Sequence, residues 1–404
     1  MKNLVLVHLE SLNYALFMRF PELFPTLHQL KNKGQFYNHY FTTATSTLMV
    51  IGDIVYGGKE QYEVCSSLDY IPRTFFYNKS IFDDLKERGY NTGLFVYPDG
   101  GDRESAEMRH IAGFNNEMVL KPRYDEFMEA IDELVTNEPF AIMACNYISN
   151  LSFNRYADCD DVLDGTDRWK RGYQYLDRYV QDIIDILERK QQLDNTCIIL
   201  YGDHGDDYWG HGMHGGLTHA TEPYATLIHT PLIVLDKGIK AGLNENIICA
   251  TDLKTFIENR LEFHKWKEIK NEYIIARSSY AAQPVRKDTF NKAYSITDGK
   301  FLLLVSTNGL ELYDIEMDFQ CDFNFLQLFV IEEGILKYDE EKNKKLRFHY
   351  GDFMSEAEKL RLRQRAYYLK RRLYEEVLNL YVIAGRTESD MNDEMNFDKI
   401  HNNG

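Results

Sequence analysis

No stretch of the 404 residues approaches the run of about 18–20 apolar residues that a membrane-spanning helix needs. The N-terminus offers only Lys2 before LVLV and then runs into Glu10, which is too short for a signal-peptide core and lacks a small-residue cleavage site. The expectation is a cytoplasmic chain that begins at a core strand. Positive charge is also scarce: the net charge is −17, so a nucleic-acid backbone would be repelled. A small anionic substrate stays compatible, because a bound metal reverses the local field. The six cysteines, Cys65, Cys145, Cys159, Cys197, Cys249 and Cys321, have no CxxC or zinc-knuckle spacing. Several sit in apolar runs such as TCIIL and NIICA, the setting of buried free thiols rather than of a disulfide framework. Internal repeats and low-complexity blocks are absent.

Hydrophobic residues make up 44% of the chain and charged residues 27%, with 28 Tyr and 24 Phe. That is the profile of a packed globular protein of one large or two unequal domains. Asn3–Leu9 reads as a buried strand ending at Glu10-Ser11, and a helix pattern through Pro25–Leu30 stops at Gly34. FYNHYFTTATSTLMVIGDIVYGG reads as a strand, a hydroxyl-rich turn and an apolar helix from Leu48. Helices over Ser80–Arg88, Tyr124–Val135 and Gly172–Lys190 precede strands Thr92–Tyr97, Phe140–Tyr147 and Thr196–Tyr201, and strand Pro231–Leu235 follows. The alternation predicts an α/β fold, a mainly parallel sheet sandwiched by helices, over residues 1–265. Short strands with Asp298-Gly299 and Asn308-Gly309 turns predict a small antiparallel sheet over 266–335. Residues 336–404 read as a helical tail: a basic helix over Ser355–Ile383, then a polar, frayed end from Glu388. The basic helix is expected to pack on its own domain or on a second copy of the chain, with membrane docking as the alternative.

Chemistry concentrates in YGDHGDDYWGHGMHGG. An apolar strand delivers Asp203 and His204 side by side, the natural pair for one divalent ion, with Asp206 and Asp207 as spare carboxylates. His211, His214, His219 and His229 follow, so five of the twelve histidines lie between 204 and 229. Glu10 stands at another strand end, where open α/β sheets bind ligands; taken alone, it could equally cap a helix. The run Thr42-Thr43-Ala44-Thr45-Ser46-Thr47 is either a polar cap or the source of a hydroxyl nucleophile at a helix N-terminus.

These pieces together resemble the sulfatase branch of the alkaline phosphatase superfamily to about residue 330. NLVLVHLESLN resembles its first strand and metal ligand, FPTLHQLKNKGQFYNHYFTT its approach to the nucleophile, and ILYGDHGDD its metal-binding Asp-His. HTPLIV and GLELYDIEMDFQCDFNFL are similar to later strands of the family. The sulfatase CxPSR-like motif is replaced by TTATSTLMVIG, and Glu stands where sulfatases open with paired aspartates. Glu, Thr and Asp-His instead resemble lipoteichoic acid synthases and phosphoethanolamine transferases. The resemblance implies Glu10, Asp203, His204 and a threonine as ligands of manganese, zinc or magnesium. It favours Thr43 as nucleophile, with Thr42 second. It places His211, His214 and His219 as substrate-contacting or proton-donating residues, with Asn150 as a further polar contact. The implied activity is phospho-group transfer or phosphodiester cleavage on a small-molecule, glycan or lipid-linked ester, as in cell-surface glycan modification. The alternative is hydrolysis of a sulfate ester or phosphate monoester.

Overall fold

Asn3–Leu9 is buried along its whole length, and its two faces pack into two different cores. The computed structural model describes residues 1–59, 79–97, 118–120, 123–147, 149, 165–207, 219–279, 292–333, 335–345 and 354–401. The first nine strands are β1 (Asn3–Leu9), β2 (Gln35–Tyr37), β3 (Tyr40–Phe41), β4 (Asn91–Tyr97), β5 (Met118–Leu120), β6 (Phe140–Asn146), β7 (Thr196–Gly202), β8 (Leu232–Leu235) and β9 (Gly242–Asn244). Eight of them form one sheet in the order β5-β4-β6-β1-β7-β8-β2-β9. The half from β5 to β7 is parallel, while β8 runs antiparallel to both β7 and β2. The parallel expectation thus holds for the half that carries the chemistry.

Side chains alternate across a strand, so Leu4 and Leu6 face one core and Val5, Val7 and Leu9 the other. On the first side lie α1 (Thr47–Tyr56), α2 (Ile81–Glu87) and α3 (Leu253–Arg260). On the second lie α4 (Pro25–Lys33), α5 (Tyr124–Leu134) and the long α6 (Gly165–Arg189). In α6, Tyr173, Leu176, Val180, Ile183 and Leu187 recur at three- and four-residue spacing and form its buried stripe.

A second, antiparallel sheet joins β10 (Ile274–Arg277), β11 (Tyr294–Thr297), β12 (Phe301–Ser306) and β13 (Gly309–Asp314) in sequence order. The basic helix, α7 (Glu356–Ile383), lays Leu362, Ala366, Leu369, Leu373, Val377 and Leu380 into the core of this sheet. Its charges are tied locally: Arg365 to Asp298, Lys370 to Asp398, and Arg371 to Glu375. The frayed end expected from Glu388 is corrected. Glu388–Glu394 is helical, and Met391, Met395, Phe397 and Ile400 are buried against the same sheet. Leu310 N–H donates to Lys399 O at 2.7 Å. Gly309, at φ +124°, admits this strand because a Cβ there would lie 2.5 Å from the Lys399 oxygen. Sparse apolar residues in a polar string misled the reading by composition. Among the described residues no helix is long and apolar enough to cross a membrane.

At the end of β8 opposite the site, Asp236 accepts from Lys2 at 2.8 Å and from Arg260 at 2.8 Å, fastening the first residues of the chain to α3. Burial pushes the Asp236 carboxyl up, but bonds from Arg260 and Lys2 outweigh it and hold the group below the usual carboxylate range. Its folded pKa lies below the unfolded one, so the stabilisation is present at neutral pH and is lost as pH falls through the carboxylate range. Asp236→Asn is expected to cost about 2 kcal/mol at pH 7 in urea titrations. The difference from wild type should shrink towards zero below about pH 3. A pH-independent difference would refute the ionic account.

Candidate metal centre

The register of β1 against β7 sets the site. Leu9 pairs with Gly202, so the next residues, Glu10 and Asp203, leave adjacent parallel strands side by side. Both are fully buried. The chain then turns sharply at Ser11, which takes φ 56° and aims its N–H at Asp203 Oδ1, 3.1 Å away. Ser11 Oγ donates to Glu10 Oε1 at 3.2 Å, and Ser149 Oγ donates to the Glu10 carbonyl at 2.6 Å. Tyr173, from α6, donates to the Ser11 carbonyl at 2.8 Å and closes the second side.

His204 is oriented by its own neighbour. Its Nδ1 lies 2.9 Å from the Gly205 carbonyl, so Nδ1 carries the proton and Nε2 presents a lone pair. This is the arrangement in which a histidine ligates metal. Position 205 must be glycine, because a Cβ there would sit 1.9 Å from the Thr226 carbonyl. His204 Nε2 lies 3.2 Å from Asp203 Oδ2 and 3.1 Å from Thr47 Oγ1. Burial alone would raise the Asp203 pKa. The imidazoles of His204 and His8 beside it outweigh that and hold the carboxylate well below its usual range.

Thr47 is the first residue of α1, with Ser46 in extended conformation before it. The backbone N–H groups of this first turn favour negative charge at the hydroxyl. The two threonines favoured from sequence point elsewhere. Thr43 Oγ1 donates to Asp53 at 2.5 Å, and Thr42 Oγ1 donates to the Ala44 carbonyl at 3.0 Å. Asp53 is in turn paired with the buried Arg277 of β10 at 2.8 Å, and Arg277 also donates to the Thr43 carbonyl. Thr45 exchanges hydrogen bonds with Ser279 and donates to the Thr221 carbonyl. The loop 42–46 is thus sewn to the second sheet, and of its hydroxyl run Thr47 is the one brought to His204.

His219 stacks on His204 with ring centroids 4.4 Å apart, and its Nδ1 meets Asp206 at 3.1 Å. Burial lowers its pKa, but the Asp206 bond and charge outweigh that and raise it. His229 belongs to the packing: it stacks on Tyr14, binds the Asn38 carbonyl through Nε2, and burial lowers its pKa to about 3. His211, His214 and Asn150 lie outside the described residues. Sequence reasoning missed His8. Its signal was present, a polar side chain two residues before Glu10 in an apolar strand, hence on the same face. Burial would lower the His8 pKa, but Asp203, with help from Cys145 and Glu10, raises it well above the ordinary value.

The buried Arg277–Asp53 pair fixes the loop, so breaking it from one side strands a charge. Asp53→Ala is expected to cost about 3–5 kcal/mol in equilibrium unfolding. Thr43→Val should cost only about 1–2 kcal/mol, through the one bond it removes. Equal losses from the two variants would overturn this division of roles.

A sulfatase family model matches residues 2–257, and no curated protein sequence matches. Among solved structures, a 2-O GAG sulfatase superposes with a TM-score of 0.61 at 14% identity, over 80% of this chain and 87% of the other. An alkaline phosphatase superfamily protein from Vibrio parahaemolyticus gives a TM-score of 0.55 at 15% identity, over 84% and 82%. The lipoteichoic acid synthase LtaP from Listeria monocytogenes gives 0.53 at 18% identity, over 75% and 81%. At these identities the likeness speaks for the fold alone. The family match spans more than half of the chain, and the protein is an enzyme of the sulfatase family.

Proposed function

We propose that the chain is a divalent-metal-dependent phospho-group transferase or phosphodiesterase with Thr47 as its nucleophile. The observation that carries this reading is the Thr47 hydroxyl 3.1 Å from His204 Nε2, at the first turn of a buried helix. The residues fit an ion: His8 Nε2 and Asp203 Oδ2 are buried without an aligned hydrogen bond. The carboxylate, imidazole and hydroxyl set suits manganese, zinc or magnesium, in that order. Held by Glu10, Asp203, His204 and Thr47, the ion would supply positive charge that favours the ionised hydroxyl and polarises the ester oxygens.

Thr47 gives its proton to solvent, and the ionised oxygen forms a bond to phosphorus. The bond from phosphorus to the leaving alcohol oxygen breaks, and the electron pair departs with that oxygen. His219, stacked on His204 and bonded to Asp206, is placed to protonate it. An acceptor alcohol or water then attacks the phosphothreonine and releases Thr47. The substrate class is a small-molecule, glycan or lipid-linked phosphate ester.

A second reading, hydrolysis of sulfate esters, draws on the family match and on the sulfatases among the structural neighbours. Against it, residues 42–58 contain no cysteine, and no Pro-Ser-Arg follows Ser46, so the motif that is converted to formylglycine is missing. Nitrophenyl phosphodiester, monoester and sulfate substrates with added manganese separate the two. Turnover of the diester is expected, with Thr47→Ala lowering kcat/KM by more than about 10³-fold and Thr43→Val keeping it within about tenfold. Turnover of the sulfate alone would sink the phospho-transfer reading.

A further inference from the structure

We propose that His8 is itself a ligand of the metal centre, making it a site with two imidazoles whose second nitrogen biases it towards zinc over magnesium. The inference rests on the reading that a divalent ion sits among Glu10, Asp203, His204 and Thr47.

His8 lies in the middle of the sheet, fully buried, on the same face of β1 as Leu4, Leu6 and Glu10. A histidine there is costly unless something binds its polar edge. Its Nε2 stands 2.9 Å from Asp203 Oδ2 and 3.2 Å from Glu10 Oε2. These are hydrogen-bond distances, yet Nε2 is aligned with neither oxygen as a hydrogen bond. That combination is what ligands of one ion show. Two donors held at about 2.1 Å from a common ion lie about 3.0 Å apart at octahedral angles and about 3.4 Å apart at tetrahedral ones. In octahedral geometry the neighbouring ligand also falls about 45° off the ring nitrogen's axis, too far for a good hydrogen bond.

The same spacing continues around the site. Asp203 Oδ2 is 3.2 Å from His204 Nε2, which is 3.1 Å from Thr47 Oγ1. The four measured edges, from 2.9 to 3.2 Å, join five donor atoms through the shared Asp203 oxygen. The His8 ring is held for this role. Tyr147 meets it edge-on at 6.4 Å, and Tyr201 lies tilted against it at 6.0 Å. Asn146 Nδ2 donates to the His8 carbonyl at 2.6 Å. The Asn146 N–H donates to Nδ1 at 3.4 Å.

Nitrogen donors shift preference towards zinc and away from magnesium and calcium. The test is pulsed electron paramagnetic resonance of the wild-type protein loaded with Mn²⁺, together with Zn²⁺ and Mg²⁺ titrations of wild type and His8→Asn. Two directly coordinated imidazole nitrogens are expected in the wild type and one in the variant. Zn²⁺ affinity should fall at least about tenfold in the variant while Mg²⁺ affinity falls less. A single nitrogen in the wild type overturns the assignment of His8 and leaves the metal site standing. Equal losses for both ions, or two nitrogens retained in the variant, overturn it as well. No Mn²⁺ binding to the wild type would remove the metal reading and this inference together. Because the wild-type spectrum decides alone, an unfolded variant does not rescue the proposal.

Discussion

Two carboxylates, Glu10 and Asp203, emerge side by side from neighbouring parallel strands, and both are fully buried. Their mutual repulsion and their desolvation both oppose folding, and in a low-dielectric setting each term is large. Everything near them is arranged as an answer to that cost. Ser11 N–H and Ser11 Oγ each bond one carboxylate, and the His8 and His204 imidazoles stand 2.9 to 3.2 Å from the carboxylate oxygens. The strand register is what forces the problem. A shift of one residue between β1 and β7 would turn Glu10 or Asp203 to the opposite face and separate them.

The hydroxyl partner reaches this charge cluster through a different constraint. Thr47 owes its position to the start of α1, and α1 is fixed by Asp53 on its inner face. Asp53 is gripped by Arg277, which comes from the second sheet and also holds the Thr43 carbonyl. The antiparallel sheet is thus more than an appendage. Its edge strand pairs with the 42–46 loop at Ala44 and Arg277, and Thr45 exchanges bonds with Ser279 across the same seam. The buried C-terminal segment fastens that sheet in turn, so residues as distant as Ile400 sit in the mechanical support of the site.

Much of this was legible in the sequence, for identifiable reasons. Uninterrupted apolar runs such as NLVLVHL and TCIILY can be little else than buried strands, and polar residues at their ends had to meet at one sheet edge. That placed Glu10, Asp203 and His204 without coordinates. The choice among hydroxyls was not legible, because it depends on which threonines are consumed by long-range partners. Thr43 is committed to Asp53, ten residues away, and through it to Arg277, more than two hundred residues away. His229 illustrates the same limit: it belongs to the histidine-rich window by sequence, but Tyr14 and the Asn38 carbonyl claim it for packing. The antiparallel insertion of β8 escaped notice because a four-residue apolar strand carries no sign of its direction.

The proposed threonine nucleophile sets what the scaffold must supply. A hydroxyl is a weak nucleophile at neutral pH, and it becomes useful only where its ionised form is stabilised. A helix N-terminus provides part of that stabilisation, and a nearby cation provides more. The helix start and the proposed cation site both lie at Thr47, whereas Thr42, Thr43 and Thr45 donate to oxygens already committed to structure. The groups near it, the His204 imidazole and the Asp203 carboxylate, are held by backbone bonds from Gly205 and Ser11. The preorganisation lies in the positions of His204 and Asp203, and it is inherited from the pairing of β1 with β7.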